Sequence, residues 1–594
     1  MRRARGARGA RADGAAVLVG LSLFFCAVTL LPLVALVATA LVGAPGEAIS
    51  HYAATVLPRY MANTLALAGL VGVSVTVLGV ASAWLVTMCR FPGRALFAFA
   101  LVLPLAMPGY VSAYAYTDLL SHPGPVQSGL RALTGWGPQD YWFPQVRSLG
   151  GAAFVLSMVL TPYVYLMART AFLQQSASAL DCSRVLGRSP WRAFLGIAVP
   201  LARPAIVAGT ALAVMETLAD YGTVAHFGVE TFTTAIYRTW FSMGERVAAV
   251  QLSLVLVGFV LLVLAMERVG RRGRRFVEAR AARPATPLAL SGWRAGAAFA
   301  VCATPVALGF LVPAGTLVWR GLSLDVAWLD ARTTRLIANT VMVAGIGALC
   351  AVTVAVVIAY ARRVSGTRLG HVLGELASFG YAVPGAVIAV GLLIPFGAFD
   401  RWLNSVAVEA FGVSTGLVLT GTIAALVVAY VVRFLAVSLN GVEAGLARIP
   451  PTLDVASRTL GVGRARTFVR VHAPLLSGGL LTAFLITFVD VMKELPATLI
   501  LRPFDFDTLA IRAHRLASDE RLAMAAVPSL MIVAVGLLPV IVLSRQIAVA
   551  HRRSGAVAGG AAVQAVATPH DVELAAHEAV MASDGLERAR VGRG

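Results

Sequence analysis

Lysine is almost missing: the 594-residue chain holds one, Lys493, within VMKEL. A nucleotide-binding P-loop needs a Gly-Lys pair, whose ammonium and neighbouring backbone N–H groups hold phosphates. Met492 precedes Lys493, so that motif is excluded, and the chain is not expected to bind ATP itself. Cysteine is also sparse. The five residues, Cys26, Cys89, Cys182, Cys302 and Cys350, are scattered without a CxxC, which argues against a disulfide framework or a thiolate metal site. Charge is scarcer still, at 13% of residues against about 25% in soluble proteins. A chain this long folded as several soluble domains would need far more polar surface. Catalytic signatures are absent too: there is no GxSxG, no HExxH and no dinucleotide fingerprint, and the nine histidines lie mostly in loops without ligand spacing. No metal site and no cofactor is assigned to the chain.

What the chain has is apolar length. Hydrophobic residues make up 58% of it, and its mean hydropathy is +0.80. A bilayer core of about 30 Å takes roughly 20 apolar residues as a helix. About twelve such runs occur, near 15–42, 62–88, 95–119, 149–170, 201–225, 247–267, 293–319, 337–360, 371–397, 416–438, 477–500 and 523–543. The first is too long for a secretory signal and lacks a clear cleavage site, so it reads as a retained span.

The net charge of +20 could suggest nucleic acid as a partner, but its distribution says otherwise. With the N-terminus inside, the inside segments hold 35 basic residues and the outside loops 13, with Lys493 left in a span. Arg433 is counted here among the inside residues. The asymmetry follows the positive-inside rule and records topology in a lipid bilayer. No nucleic-acid partner is expected.

The chain also repeats itself. MANTLALAG (61–69) matches IANTVMVAG (337–345), and Pro108-Gly109 matches Pro384-Gly385 at the same offset. Later, LDCSRVLG (180–187) matches LDVASRTLG (453–461). Six spans per repeat place both halves in the same orientation, with a substrate path between them. The expected fold is therefore an all-α polytopic membrane protein of about 12 transmembrane helices in two tandem six-helix repeats. Its parts are a basic cytoplasmic tail (1–14), a first half (15–267), a cytoplasmic linker (268–292), a second half (293–548) and a cytoplasmic tail (549–594) that is low in complexity and expected to be disordered. Pro104, Pro108 and Pro384 are expected to bend or break helices near the midplane.

Each half carries a long cytoplasmic loop after its fourth span, at 177–200 and 447–474. In both, a Gly is followed thirteen positions later by a Pro: Gly187 and Pro200, Gly461 and Pro474. The pattern reads as a short helix, a left-handed glycine cap and a second helix returning to the membrane. Ser189-Pro190 would start that second helix.

These loops resemble the EAA loop of ABC-importer permeases, whose short helix docks in a cleft of the cytoplasmic ATPase. The resemblance implies coupling roles for Asp181, Gly187 and Pro200 in the first loop and for Asp454, Gly461 and Pro474 in the second. Asp181 stands where that family usually has Glu. In the second loop Val455 occupies that position and Asp454 precedes it, which leaves the acidic contact shifted or lost.

Aligning the loops places Glu216 opposite Asp490 and Asp220 opposite Glu494, two carboxylates at i, i+4 in the fifth span of each half. A carboxylate within a span costs about 2.5–3.5 kcal/mol on insertion scales. Lys493 could neutralise Asp490 and leave Glu494 freer. One reading makes these five residues a path for a hard cation or its complex; the other makes them helix-end groups that pair with Lys493 or Arg502 or cap backbone.

The stretches 216–241 and 490–515 are similar to those of fused-type ferric-iron permeases, a resemblance covering nearly all of 60–545. It implies a non-enzymatic permease in a bacterial inner membrane, with both termini cytoplasmic. It further implies two copies of a separate ABC ATPase and a periplasmic or extracellular binding protein that delivers Fe(III). Similar segments occur in permeases for thiamine, aminoethylphosphonate and polyamines. Two other classes stay open at this point, a secondary transporter of the 6+6 type and a membrane-embedded enzyme acting on lipid.

Overall fold

The computed structural model describes residues 2–42, 55–175, 189–271, 287–323, 328, 330–365 and 368–541. Eleven helices among them are long and apolar enough to cross a membrane, and a twelfth span forms if one bent pair is counted together. That pair, Arg94–Ala106 and Gly109–Thr134, turns by 92° at Met107-Pro108. Pro108 has extended backbone and precedes the second helix, where a missing N–H costs nothing. Pro384 does the same in the second half, ahead of helix Gly385–Phe411. The apolar run at 371–397 therefore straddles a break: helix Arg368–Ser378 ends before it, and the long span begins only at Gly385.

The duplication appears as two copies of one three-helix packing. Helices Leu57–Met88, Leu149–Gln174 and Val199–Ala219 pack together in the first half. Helices Ala331–Ser365, Ile423–Ala447 and Ala473–Met492 repeat the arrangement in the second. The repeated Ala-Asn-Thr motif has the same task in both. The Asn63 amide donates to the Glu230 carbonyl at 3.0 Å, and the Asn339 amide to the Asp507 carbonyl at 3.1 Å. Thr64 and Thr340 then accept the Phe232 and Leu509 N–H groups, fixing the helix that starts there. Buried hydroxyls and amides in a span need such partners.

The first span of each half packs on the opposite half. Helix Arg2–Val42 lies against Ala331–Ser365 and Gly385–Phe411. The span Gly292–Ser323 lies against the first-half helices Leu57–Met88, Gly109–Leu120 and Leu149–Gln174. Both crossings depend on missing side chains. A Cβ on Gly391 would stand 2.6 Å from the Pro32 carbonyl oxygen, and one on Gly309 2.7 Å from that of Met158. Small residues let helix backbones approach closely where hydrocarbon supplies no hydrophobic drive.

Three wide π-turns interrupt the helices, at Phe194–Ala198, Ala307–Leu311 and Phe468–His472. Each is followed by one residue and then a proline: Pro200, Pro313 or Pro474. A proline cannot donate to the carbonyl four residues back and its ring crowds that carbonyl. The turn widens, and the preceding residue donates five back instead, as Val199 does to Phe194 and Ala473 to Phe468.

Candidate functional site

The fifth span of each half ends earlier than its apolar run suggests, and this decides what the four carboxylates do. Helix Val199–Ala219 stops one residue before Asp220. The Asp220 carboxylate accepts the N–H groups of Thr223 and Val224 and the Thr223 hydroxyl, starting the short helix Gly222–His226. In the second half, helix Ala473–Met492 stops before Lys493. Glu494 accepts from the Ala497 and Thr498 N–H groups and the Thr498 hydroxyl, with Pro496 opening helix Pro496–Leu501. Glu494 is therefore not the freer group expected from the sequence. A local cap competes successfully with continuation of the helix. The i, i+4 face dissolves: Glu216 and Asp490 remain on the spans, while Asp220 and Glu494 cap the short helices beyond them.

Glu216 and Asp490 line a cavity of about 130 Å³ between the halves, together with Lys493, Arg433, Tyr163 and Tyr381. A second cavity of about 350 Å³ shares Tyr163, Tyr381, Asp490 and Lys493 with it. It lies toward the loops at 177–200 and 447–474, since its other walls include Leu212, Val437, Asn440 and Ile486, four to seven residues closer to those loops than Glu216, Arg433 and Asp490. These four polar side chains, Tyr163, Tyr381, Asp490 and Lys493, with Leu105, thus lie between the two chambers. There the Tyr381 hydroxyl donates to Glu216 at 2.7 Å, and Lys493 Nζ stands 2.8 Å from Asp490.

Arg433 departs most from the sequence reading. It is not in a cytoplasmic loop but buried within helix Ile423–Ala447, 3.7 Å from Glu494. The in-span cost applied to the carboxylates also marks an arginine inside ALVVAYVVRFLAV, and that signal was present. Tyr110, Tyr163 and Tyr381 carried no such signal, because a tyrosine in a span is ordinary.

Away from the coupling loops the cavity is closed by contacts between halves. The Tyr110 hydroxyl donates to the Lys493 carbonyl at 3.4 Å, and Tyr114 shares a hydrogen bond of 2.9 Å with His514 Nδ1. Arg147 pairs bidentately with Glu520, 2.7 Å to each oxygen. His226 Nε2 lies 3.0 Å from the Thr117 hydroxyl, and its ring sits edge-on to Tyr114. Burial pushes the His226 and His514 imidazoles down to about 4.

At the opposite end, the 447–474 loop forms helix Pro451–Thr459, and Gly461 follows with φ +74. Asp454 turns inward: its carboxylate meets Arg363 at 2.7 Å and His472 at 3.1 Å. Arg363 also donates to the Leu446 and Ile449 carbonyls. Pro474 and Pro200 both follow π-turns, and Ser189 caps Arg192 at the start of helix Pro190–Ala193. Asp181 and Gly187 lie outside the described residues, as do 272–286 of the linker and the tail 549–594.

Among the described residues no three His, Cys, Asp or Glu side chains converge to hold a metal ion.

The chain matches the family model described as "Binding-protein-dependent transport system inner membrane component" twice, over residues 66–275 and 347–553. Among curated proteins, it is 26% identical over 495 residues to the "Fe(3+)-transport system permease protein FbpB 2" of Haemophilus influenzae, spanning 82% of this chain and 90% of that one. It is 24% identical over 488 residues to the "Ferric transport system permease protein FbpB" of Actinobacillus pleuropneumoniae, across 77% of this chain and 66% of that one. The "Molybdenum transport system permease protein ModB" of Escherichia coli is 28% identical over 194 residues, 31% of this chain and 81% of that one. Two family matches on two like-packed halves join the separate observations. The chain belongs to the inner-membrane components of binding-protein-dependent transport systems, as a permease with both halves fused in one polypeptide.

Proposed function

We propose that this permease carries ferric iron across the membrane, with two copies of a cytoplasmic ABC ATPase and a substrate-binding protein at the outer face. The observation that carries the reading is the match to the Fe(3+) permease of H. influenzae, which spans 82% of this chain and so covers both halves and not one. The cavity chemistry is compatible with it. Glu216, Asp490 and the tyrosine hydroxyls offer oxygen atoms, the donors that hard cations take.

In this reading the termini are cytoplasmic and both coupling loops meet the ATPases, through the segments containing Asp181, Gly187 and Pro200 and Asp454, Gly461 and Pro474. Glu216, Asp490 and Lys493 face the cargo. Asp220 and Glu494 act indirectly, by holding the short helices that shape the cavity. The inter-half contacts at Tyr110, Tyr114 and Arg147 belong to a state closed to the outside, which must open for the binding protein to deliver its load.

The test is ATP-dependent uptake of radioactive iron into proteoliposomes holding the permease, its ATPase and its binding protein. Uptake of iron that thiamine, 2-aminoethylphosphonate and spermidine do not compete with supports the reading. Uptake of one of those compounds instead of iron overturns it.

A further inference from the structure

Among the described residues lining the cavity, Arg433 is the charged group whose bonding is incomplete by geometry. Its side chain is 10% exposed, and both Nε and Nη1 are buried with no hydrogen-bond acceptor. The nearest carboxylate, Glu494, stands 3.7 Å from Nε, beyond a hydrogen bond, and its oxygens already accept from Ala497 and Thr498. Buried donors are nearly always satisfied, so an orphaned pair at a cavity wall asks for a partner. The planar fork of a guanidinium matches the two oxygens of a carboxylate or phosphate.

The surroundings point the same way. An offset of 274 sets Arg433 opposite Val159 and Lys493 opposite Ala219, and all four line the cavity. Both cavity cations thus come from the second half, whereas Glu216 and Asp490 come one from each. Helix Gly385–Phe411 begins beside the arginine, and a Cβ on Gly385 would lie 3.1 Å from Arg433 Nη1 and collide with the Glu494 carboxylate. The glycine keeps a side chain from crowding that nitrogen, and a helix N-terminus adds partial positive charge there.

The cation side is underbuilt. No cluster of three His, Cys, Asp or Glu among the described residues could take a bare metal ion. A trivalent cation crossing this cavity must keep ligands of its own.

We propose that Arg433 binds an oxyanion, a phosphate or a carboxylate, that enters the cavity still coordinated to the cation. The cargo is then a mixed complex, its metal toward Glu216 and Asp490 and its anion toward Arg433. This rests on the ferric reading above.

The experiment uses the permease–ATPase complex in lipid nanodiscs, with radiolabelled inorganic phosphate or citrate, each with and without ferric iron. Retention of either anion only when iron is present, reduced at least tenfold in R433Q and less in R433K, is the expected result. Phosphate and citrate arms separate the two anion sources. Iron retained equally by wild type and R433Q, with neither anion, overturns the anion site and leaves the ferric reading standing. An anion retained without iron overturns the mixed complex and the ferric reading together, and marks the oxyanion itself as cargo. The wild-type measurements decide between these outcomes even if R433Q fails to assemble.

Discussion

The Tyr381 hydroxyl donates to Glu216 Oε1 across 2.7 Å, and so joins the two halves of the chain inside the cavity. The bond runs from Tyr381, which lines both chambers, to Glu216, which lines the first. Its strength should appear in a double-mutant cycle. A hydrogen bond to a charged group contributes about 1.5–3 kcal/mol. Y381F and E216Q should each lower thermal stability in detergent, and the double variant should lose less than their sum. Strict additivity would show that the bond contributes nothing measurable.

Asp454 ties helix Pro451–Thr459, the proposed ATPase contact, to the body of the protein through Arg363 and His472. D454A should leave those groups without their acid while the complex still assembles. The loss to expect is in coupling: iron moved per ATP hydrolysed falls several-fold, and ATP hydrolysis persists. The measurement is parallel uptake and phosphate release in proteoliposomes. An unchanged ratio would place the anchoring function elsewhere.

Two glycines should respond differently to the same methyl group. Gly461 has φ +74 and open space around it, so G461A should cost about 1–2 kcal/mol of backbone strain confined to the coupling loop. A Cβ on Gly385 would run into the Glu494 carboxylate. G385A should therefore disturb the cavity and abolish uptake, whereas G461A should be rescued by Asn, which tolerates left-handed backbone. Thermal unfolding and iron uptake of the three variants read this directly.

Acid should loosen the outer closure. Burial holds His226 and His514 at about 4, against 6.5 for a free imidazole, with Arg147 and His514 also lowering His226 and Glu520 opposing them. Between those values an opened, solvated form binds more protons than the closed one. Closure is thus fully supported above pH 6.5 and weakens as pH falls toward 4. Accessibility of a cysteine placed at Thr117 should rise over that window, and H226Q/H514Q should flatten the profile. A rise above pH 7 would assign the effect to other groups.

The spans and the duplication were legible because each can be read along the chain. A run of apolar residues is costly in water wherever it lies, and a repeated motif shows as a fixed offset. The turn at Gly461 and the breaks at Pro108 and Pro384 were legible for the same reason, since backbone chemistry acts within a few residues. The i, i+4 carboxylate face was misread because hydropathy does not register where a helix stops. Asp220 and Glu494 end their helices by taking N–H groups a few residues ahead, whereas Arg433 falls within the apolar run 416–438 and the count of basic residues assigned it to the loop that follows.

By itself, then, the sequence determined a duplicated permease of eleven to twelve spans and the residues worth suspecting. Tertiary structure alone decided which of them share a cavity. The exchange of first spans at Gly309 and Gly391, the Tyr381–Glu216 bond between halves and the incompletely bonded Arg433 all depend on segments far apart in the chain. Such proximity is set by how helices pack, and no local preference encodes it.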